Sequence, residues 1–107
     1  MYFKTIDEMT AKSLAPGVDI KSISAEKMSM VVFSLKSGAI IPEHAHPNEQ
    51  IGTVLKGSLS LTIGDEEKVV KQNDFWCIPA DVPHKGLCLE GPTEVLEVFS
   101  PPRDDYA

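Results

Sequence analysis

Short apolar runs separated by turn-forming residues recur along the chain of 107 residues. In residues 58–63, Leu59, Leu61 and Ile63 alternate with serine and threonine, which predicts a strand with one buried face and one face toward water. Further strands are expected at residues 2–6, 18–24, 29–35, 51–55, 68–70, 75–78, 84–89 and 94–100. Residues 7–14 are expected to form a loop that ends at Pro16 and Gly17.

Eight or nine short strands and no long helical periodicity predict an all-β protein. So many strands in so short a chain favour a jelly roll or closed barrel. The length allows one domain over residues 1–107. Trp76, Met28 and Met30 alternate within strands and are expected to fill the core, as are the thiols of Cys77 and Cys88.

The composition argues against a nucleic-acid partner, because the formal net charge is −6 and the ten basic residues are scattered. An anionic substrate would therefore need a local positive charge. No apolar run approaches the roughly 20 residues that span a bilayer, and the N-terminus lacks a signal-peptide stretch. We expect a cytoplasmic protein with no membrane partner.

The three histidines are the candidate chemistry. His44 and His46 are two residues apart, so an extended strand points both imidazoles to one side. Gln50 has the same parity and offers an amide oxygen, whereas Glu49 should point away. His84 follows two prolines that fix its approach to the next strand. These four side chains are candidate ligands for one divalent transition metal, and Ni, Zn, Mn, Fe and Cu all remain open.

The motifs that contain these residues resemble those of the cupin family. Gly38, His44-Ala45-His46, Gln50 and Gly57 resemble its first motif, with Gln50 where many members have Glu. Residues 73–84 resemble the second motif, with Asn73 and Asp81 where Gly is usual. The resemblance implies a cupin double-stranded β-helix, a jelly-roll barrel that holds a metal, and requires Asn73 and Asp81 to adopt turn conformations that favour Gly.

The C-terminal residues 97–106 resemble the tail of the pectin-degradation cupins that linearise unsaturated uronates. That resemblance implies catalytic roles for Glu97, Phe99 and Arg103, with Glu97 standing where the family has Asp. The substrate would be a carboxylate-bearing sugar, whose carboxylate the planar fork of Arg103 suits.

Simpler interpretations and rival functions stay open at this stage. Glu97 is alternatively a solvated strand residue, Phe99 a core or dimer contact, and Arg103 a tail residue paired with Asp104 or Asp105. The histidines are alternatively surface or core residues of a barrel without metal. A three-histidine site also suits an Fe, Cu or Mn dioxygenase, and the barrel alone suits a non-enzymatic binding protein. By analogy with small cupins we expect a homodimer in which residues 2–6 cover a sheet edge of the second copy.

Overall fold

The computed structural model describes residues 2–106, which form an antiparallel β-barrel. Within that range there are eight strands: β1 (Lys12–Ala15), β2 (Val18–Ser24), β3 (Ser29–Leu35), β4 (Ile40–His44), β5 (Glu49–Ile63), β6 (Glu66–Lys71), β7 (Phe75–Ile78) and β8 (His84–Ser100). Two short 3₁₀ turns, Ile6–Glu8 and Asp104–Tyr106, flank them. No helix in this range has the length and apolar character needed to span a bilayer.

Two long strands, β5 and β8, hold the barrel together. The strand order is β1-β2-β3-β8-β5-β6, with β4 paired to β8 and β7 paired to β5. The sequence predicts two strands in each of these stretches, at 51–55 with 58–63 and at 84–89 with 94–100. The structure joins each pair, because Gly57 and the Gly91-Pro92 step fall at irregular points in the β5–β8 ladder rather than at turns. Each long strand therefore contributes to both halves of the barrel.

Alternation along the strands produces the core. Val31, Phe33 and Leu35 of β3 are buried on the inner face, and Val95 and Phe99 of β8 meet them there. The all-β jelly-roll prediction is confirmed, and the strands predicted at 18–24, 29–35 and 75–78 have the observed bounds.

The two unusual turn residues behave as the sequence requires. Asn73 has φ 76° and Asp81 has φ 65°, both in the left-handed region that Gly adopts freely. Asn and Asp tolerate this conformation better than other residues with a side chain. The turn geometry of the second motif is thus kept without its glycines.

Several expectations about exposed positions are wrong. Residues 2–5 form no strand, and the side chains of Tyr2 and Phe3 are exposed, so the strand predicted at residues 2–6 is absent from the described chain. The loop expected at 7–14 contains the start of β1. Cys88 is buried as expected, but Cys77 is exposed, because it lies on the outer face of β7.

The methionines also lie outside the core. Met28 and Met30 are exposed rather than core-filling, since Met28 precedes β3 and Met30 occupies an outward position of that strand. Trp76 is buried as expected. Alternation identifies the two faces of a strand but does not say which face is buried. An apolar residue on the outer face is therefore mistaken for a core residue when only its residue type is considered.

Candidate functional site

Three histidines from two parts of the chain lie close together in the barrel. His44 ends β4 and pairs in register with His84 at the start of β8, while His46 lies in the loop before β5. The ring centroids are 4.2 Å apart for His44 and His84, 4.9 Å for His46 and His84, and 5.4 Å for His44 and His46. One ring nitrogen from each lies within 4.8 Å of the others. This spacing allows all three to bind one ion.

Backbone carbonyls fix the tautomer of each imidazole. The Nδ1 atoms of His44, His46 and His84 lie 2.9 Å from the carbonyl oxygens of Pro42, Asn48 and Val82, respectively. A carbonyl oxygen only accepts, so each Nδ1 must carry the proton and each Nε2 keeps its lone pair. A local contact two residues away in each case thus prepares the ring as a ligand.

The electrostatic environment keeps the two buried rings neutral. Burial lowers the pKa of His46, and the positive charge of Arg103 lowers it further. Burial is also the main cause that lowers the pKa of His84. A neutral imidazole is the form that binds a metal.

Gln50 offers a further candidate ligand atom beside the histidines. It occupies a buried position of β5, and its Nε2 donates to Glu97 Oε2 at 2.5 Å. Its Oε1 and the Nε2 atoms of His46 and His84 are buried and have no hydrogen-bond partner among residues 2–106. Buried polar atoms without a partner require an explanation, and an ion is one. Three imidazole nitrogens and one amide oxygen fit a divalent transition metal.

Glu97 is deeply buried at 6% exposure, which excludes the solvated interpretation. Its Oε1 accepts from Trp76 Nε1 at 2.8 Å, and its Oε2 accepts from Gln50. Burial raises the pKa of Glu97 to about 8, although both hydrogen bonds oppose the shift. A carboxyl group with such a pKa can exchange a proton near neutral pH.

Phe99 and Arg103 lie beside this cluster. The Phe99 ring is buried with its centroid 5.8 Å from that of His46. The Arg103 guanidinium carbon lies 4.2 Å from the Tyr106 ring centroid and 5.4 Å from that of Phe99. The structure thus brings together all seven side chains that the sequence singles out.

The guanidinium fork of Arg103 is already paired. Its Nε and Nη2 donate to the two carboxylate oxygens of Asp105 at 3.0 and 2.9 Å. Only Nη1 is buried without a partner in the described chain. The fork expected for a substrate carboxylate is therefore held by Asp105, and the NH₂ group of Nη1 is left for a ligand.

The space inside the site is small. A cavity of about 40 Å³ lies against the cluster. The residues that line it include His44, Gln50, His84, Glu97, Phe99 and Tyr106. Ligand sites usually have volumes of about 300 Å³ or more, so this space is too small for a sugar.

Sequence reasoning missed three residues of the site. Asn48 is buried and donates to Pro101 O at 2.6 Å, which ties the histidine loop to the C-terminal tail. Trp76 was expected only to fill the core, yet it donates to Glu97. Gly52 pairs with both Trp76 and Glu97 across neighbouring strands. A lone glycine within a strand pattern is the one signal that could have indicated this close approach.

An antiparallel barrel that brings three imidazoles together is typical of cupins. Residues 31–99 match the Cupin domain family, and the chain belongs to that family. It is 29% identical over 102 residues to the pectin degradation protein KdgF of Dickeya dadantii. The aligned residues are 94% of this chain and 93% of the relative.

Two further similarities concern a solved structure and a longer protein. The structure of KdgF from Halomonas sp. has a TM-score of 0.94 at 26% identity, covering 100% of this chain and 99% of that one. The oxalate decarboxylase OxdC of Bacillus subtilis is 34% identical over 80 residues, which are 70% of this chain and 21% of the relative. The chain thus resembles the pectin-degradation cupins over nearly its whole length.

Proposed function

We propose that this protein is a metal-dependent enzyme that opens and linearises a 4,5-unsaturated monouronate. The observation that carries the proposal is a buried carboxyl group, Glu97, hydrogen-bonded to Gln50 beside three imidazoles whose Nε2 atoms are free to bind an ion. Similarity over nearly the whole chain to pectin degradation protein KdgF supports the substrate class.

His44, His46, Gln50 and His84 would hold one divalent ion. A bound ion of this kind supplies a Lewis acid that polarises a substrate oxygen. The ligand set carries no charge when the imidazoles are neutral, so it leaves the positive charge of the ion uncompensated.

Glu97 would transfer the proton. In the reaction the anomeric hydroxyl loses a proton and the bond between the anomeric carbon and the ring oxygen breaks, which gives an aldehyde. The enol oxygen left behind becomes a ketone as the adjacent alkene carbon gains a proton. One proton leaves and one returns, so a single carboxyl group can serve both steps, and a pKa of about 8 suits this exchange near neutral pH.

Phe99 and Arg103 would orient the sugar. The Phe99 ring offers an apolar surface beside His46, and Arg103 Nη1 offers a charged donor. A charge-assisted hydrogen bond to the substrate carboxylate would give that buried NH₂ group a partner. It also supplies the local positive charge that an acidic protein needs for an anionic substrate.

Substrate entry would require the C-terminal tail to move. The tail residue Tyr106 is buried against Phe33 and Phe99, and its carbonyl oxygen accepts from Ser22 Oγ at 2.6 Å. Because ligand sites usually have volumes of about 300 Å³ or more, the sugar acid does not fit beside a seated Tyr106. We include displacement of residues 104–106 in the proposed catalytic cycle.

Activity assays on matched variants test the proposal. Turnover of the unsaturated monouronate, followed by loss of the ultraviolet absorbance of its double bond, is expected for the metal-loaded protein. Glu97→Gln should lower kcat by about 100-fold or more, whereas Glu94→Gln on the same strand should not. No turnover by the wild type, or equal turnover by both glutamate variants, would contradict the proposal. Full activity with Zn²⁺ or Ni²⁺ would exclude the dioxygenase alternative.

We also propose a homodimer, on the strength of the outer sheet face. Ile23, Met30, Val98, Ile51 and Cys77 form one cross-strand row over five strands, on the side away from the core. A continuous apolar row of this kind is typical of a protein contact. Light scattering should give twice the chain mass for the wild type and for Thr62→Asp, and a single chain mass for Ile51→Asp. A monomeric wild type would refute the homodimer.

A further inference from the structure

The three residues Trp76, Glu97 and Gln50 form a hydrogen-bonded chain that ends at the candidate metal site. Trp76 Nε1 donates to Glu97 Oε1 at 2.8 Å, and Gln50 Nε2 donates to Glu97 Oε2. All three side chains are buried. An indole N–H can only donate, so its partner atom on Glu97 must accept.

The hydrogen bond between Trp76 and Glu97 occupies the space beside Gly52. A Cβ atom at that position would lie 2.5 Å from Trp76 Nε1 and 2.7 Å from Glu97 Oε1. Trp76 and Glu97 are the cross-strand partners of Gly52 on either side, so they meet over the side chain it lacks. The absent side chain is what permits the hydrogen bond between them.

The direction of the Gln50 amide decides whether this residue can bind a metal. An amide presents an oxygen on one side and an NH₂ group on the other, and only the oxygen has a lone pair for an ion. With NH₂ turned to Glu97, Oε1 is left buried and without a partner in the described chain. If the amide were reversed, two N–H donors would occupy the position of Oε1.

We propose that Glu97 and Trp76 are positioning residues for Gln50: Glu97 Oε2, as an acceptor, sets the direction of the Gln50 amide, and the Trp76 indole holds the Glu97 side chain in place. A carboxylate accepts at both oxygens, so Oε2 selects the NH₂ end of Gln50, while the indole N–H requires an acceptor on its own side whichever residue occupies position 97. The proposal rests on the metal site of the proposed function, although the hydrogen-bonded chain exists without an ion.

The isosteric variant Glu97→Gln gives the sharpest test, because it reverses the donor and acceptor roles between residue 97 and Gln50 without changing the shape of the side chain. The new amide must turn its oxygen to the Trp76 N–H group and its NH₂ to Gln50. Gln50 must then accept that hydrogen bond with Oε1, and its own NH₂ group turns toward the histidines. Trp76→Phe removes the donor that imposes this choice, so the double variant can turn the position-97 amide over and restore Gln50.

Metal affinity of the full chain, measured by chelator competition with Zn²⁺ at about pH 9, where both oxygens of Glu97 accept hydrogen bonds, provides the first readout. We expect Glu97→Gln to bind Zn²⁺ at least about tenfold more weakly, as loss of a group that orients a ligand typically does. Adding Trp76→Phe should raise the Zn²⁺ affinity again by at least about threefold. A second substitution that only removed packing would lower the affinity further. Affinities that fall further in the double variant, or that are unchanged in Glu97→Gln, would overturn the proposal.

Nuclear magnetic resonance of the metal-free protein separates this proposal from the proposed function. At about pH 9 Glu97 is a carboxylate, and the Gln50 NH₂ resonance should then show a hydrogen-bonded proton that is lost in Glu97→Gln. It should return in the double variant. Failure to bind any metal with this pattern present would refute the metal site and leave the positioning role supported. An unchanged Gln50 resonance in Glu97→Gln would refute the positioning role alone.

Discussion

Arg103 and Asp105 face each other through two parallel hydrogen bonds at the edge of the candidate site. The arginine side chain is 11% exposed and the aspartate side chain 64% exposed, so Asp105 holds the guanidinium from the solvent side. The atom left for a ligand, Nη1, is the buried one. This arrangement makes Asp105 a support for Arg103.

Asp105→Asn should therefore weaken substrate binding. Loss of one charge-assisted pair frees the guanidinium to change its rotamer, and we expect KM to rise by about tenfold with a smaller change in kcat. Steady-state kinetics measure this split. The neighbour Asp104 makes no side-chain hydrogen bond within residues 2–106, so Asp104→Asn is the control. A lower KM in Asp105→Asn would mean that Asp105 competes with the substrate.

The aromatic tail residue Tyr106 should control access to the site. Tyr106→Ala removes the edge contacts with Phe33 and Phe99, whose centroids lie 5.9 and 5.8 Å away. We expect a loss of about 2 to 4 kcal/mol of unfolding free energy, together with faster removal of bound metal by a chelator. The exposed residue Tyr2 supplies the control Tyr2→Ala. Equal removal rates in wild type and Tyr106→Ala would show that the tail does not cover the site.

The fold could be predicted from the sequence where alternation was regular. The bounds of β3 and β7 follow from inward Val31, Phe33, Trp76 and Ile78, because a period of two has one solution once a face is buried. Motif spacing identified the four metal-ligand candidates, but strand parity does not place them together, because His46 lies in the loop between β4 and β5 and His84 begins β8. Residues 2–6 lacked any such constraint, and their apolar type alone suggested a strand.

The partners of the catalytic candidates could not be predicted in the same way. Parity places Glu97 and Phe99 on one face, but only tertiary structure shows that Glu97 is enclosed by Trp76 and Gln50. For Arg103 the sequence left Asp104 and Asp105 equally available, and the 3₁₀ turn decides between them. These contacts join residues that are far apart along the chain or depend on a local turn, and no pattern in the sequence encodes either.

Gly52→Ala should displace Trp76 and Glu97, although Gly52 itself has no side chain to bind a ligand. The added Cβ would lie 2.6 Å from Trp76 Cε2, a distance that backbone or ring must relieve by moving. We expect a loss of about 1 to 3 kcal/mol in urea unfolding and a shift in the emission of Trp76, the chain's single tryptophan. At Gly86, also in a strand, the nearest atom would be Leu59 Cδ1 at 3.3 Å, so Gly86→Ala is the matched control. Equal effects of the two substitutions would contradict a specific role for Gly52.

The buried carboxyl group should make the stability of the metal-free protein depend on pH. Burial raises the pKa of Glu97 from 4.5 to about 8, so between these values the folded state holds a proton that the unfolded state has released. Unfolding free energy should therefore fall as the pH rises toward 8, and level off above it.

The histidines give the opposite sign at lower pH. Burial lowers the pKa of His46 and His84 below 6.5, so their contribution to stability is lost as the pH falls below that value. Above about pH 7 both states hold neutral imidazoles, and the slope belongs to Glu97. Urea titrations from about pH 7 to 9 should show the fall in wild type and none in Glu97→Gln. A slope that persists in the variant would assign it to another group.

Metal content tests the central claim most directly. Protein purified without a histidine tag, equilibrated with Zn²⁺ and dialysed, should carry about one ion per chain by elemental analysis, as a site with four ligands predicts. His46→Ala should carry almost none, since it removes a buried ligand whose Nε2 has no other partner in the described chain. A wild type without metal, or a His46→Ala variant with as much metal as the wild type, would contradict the claim that these residues share an ion.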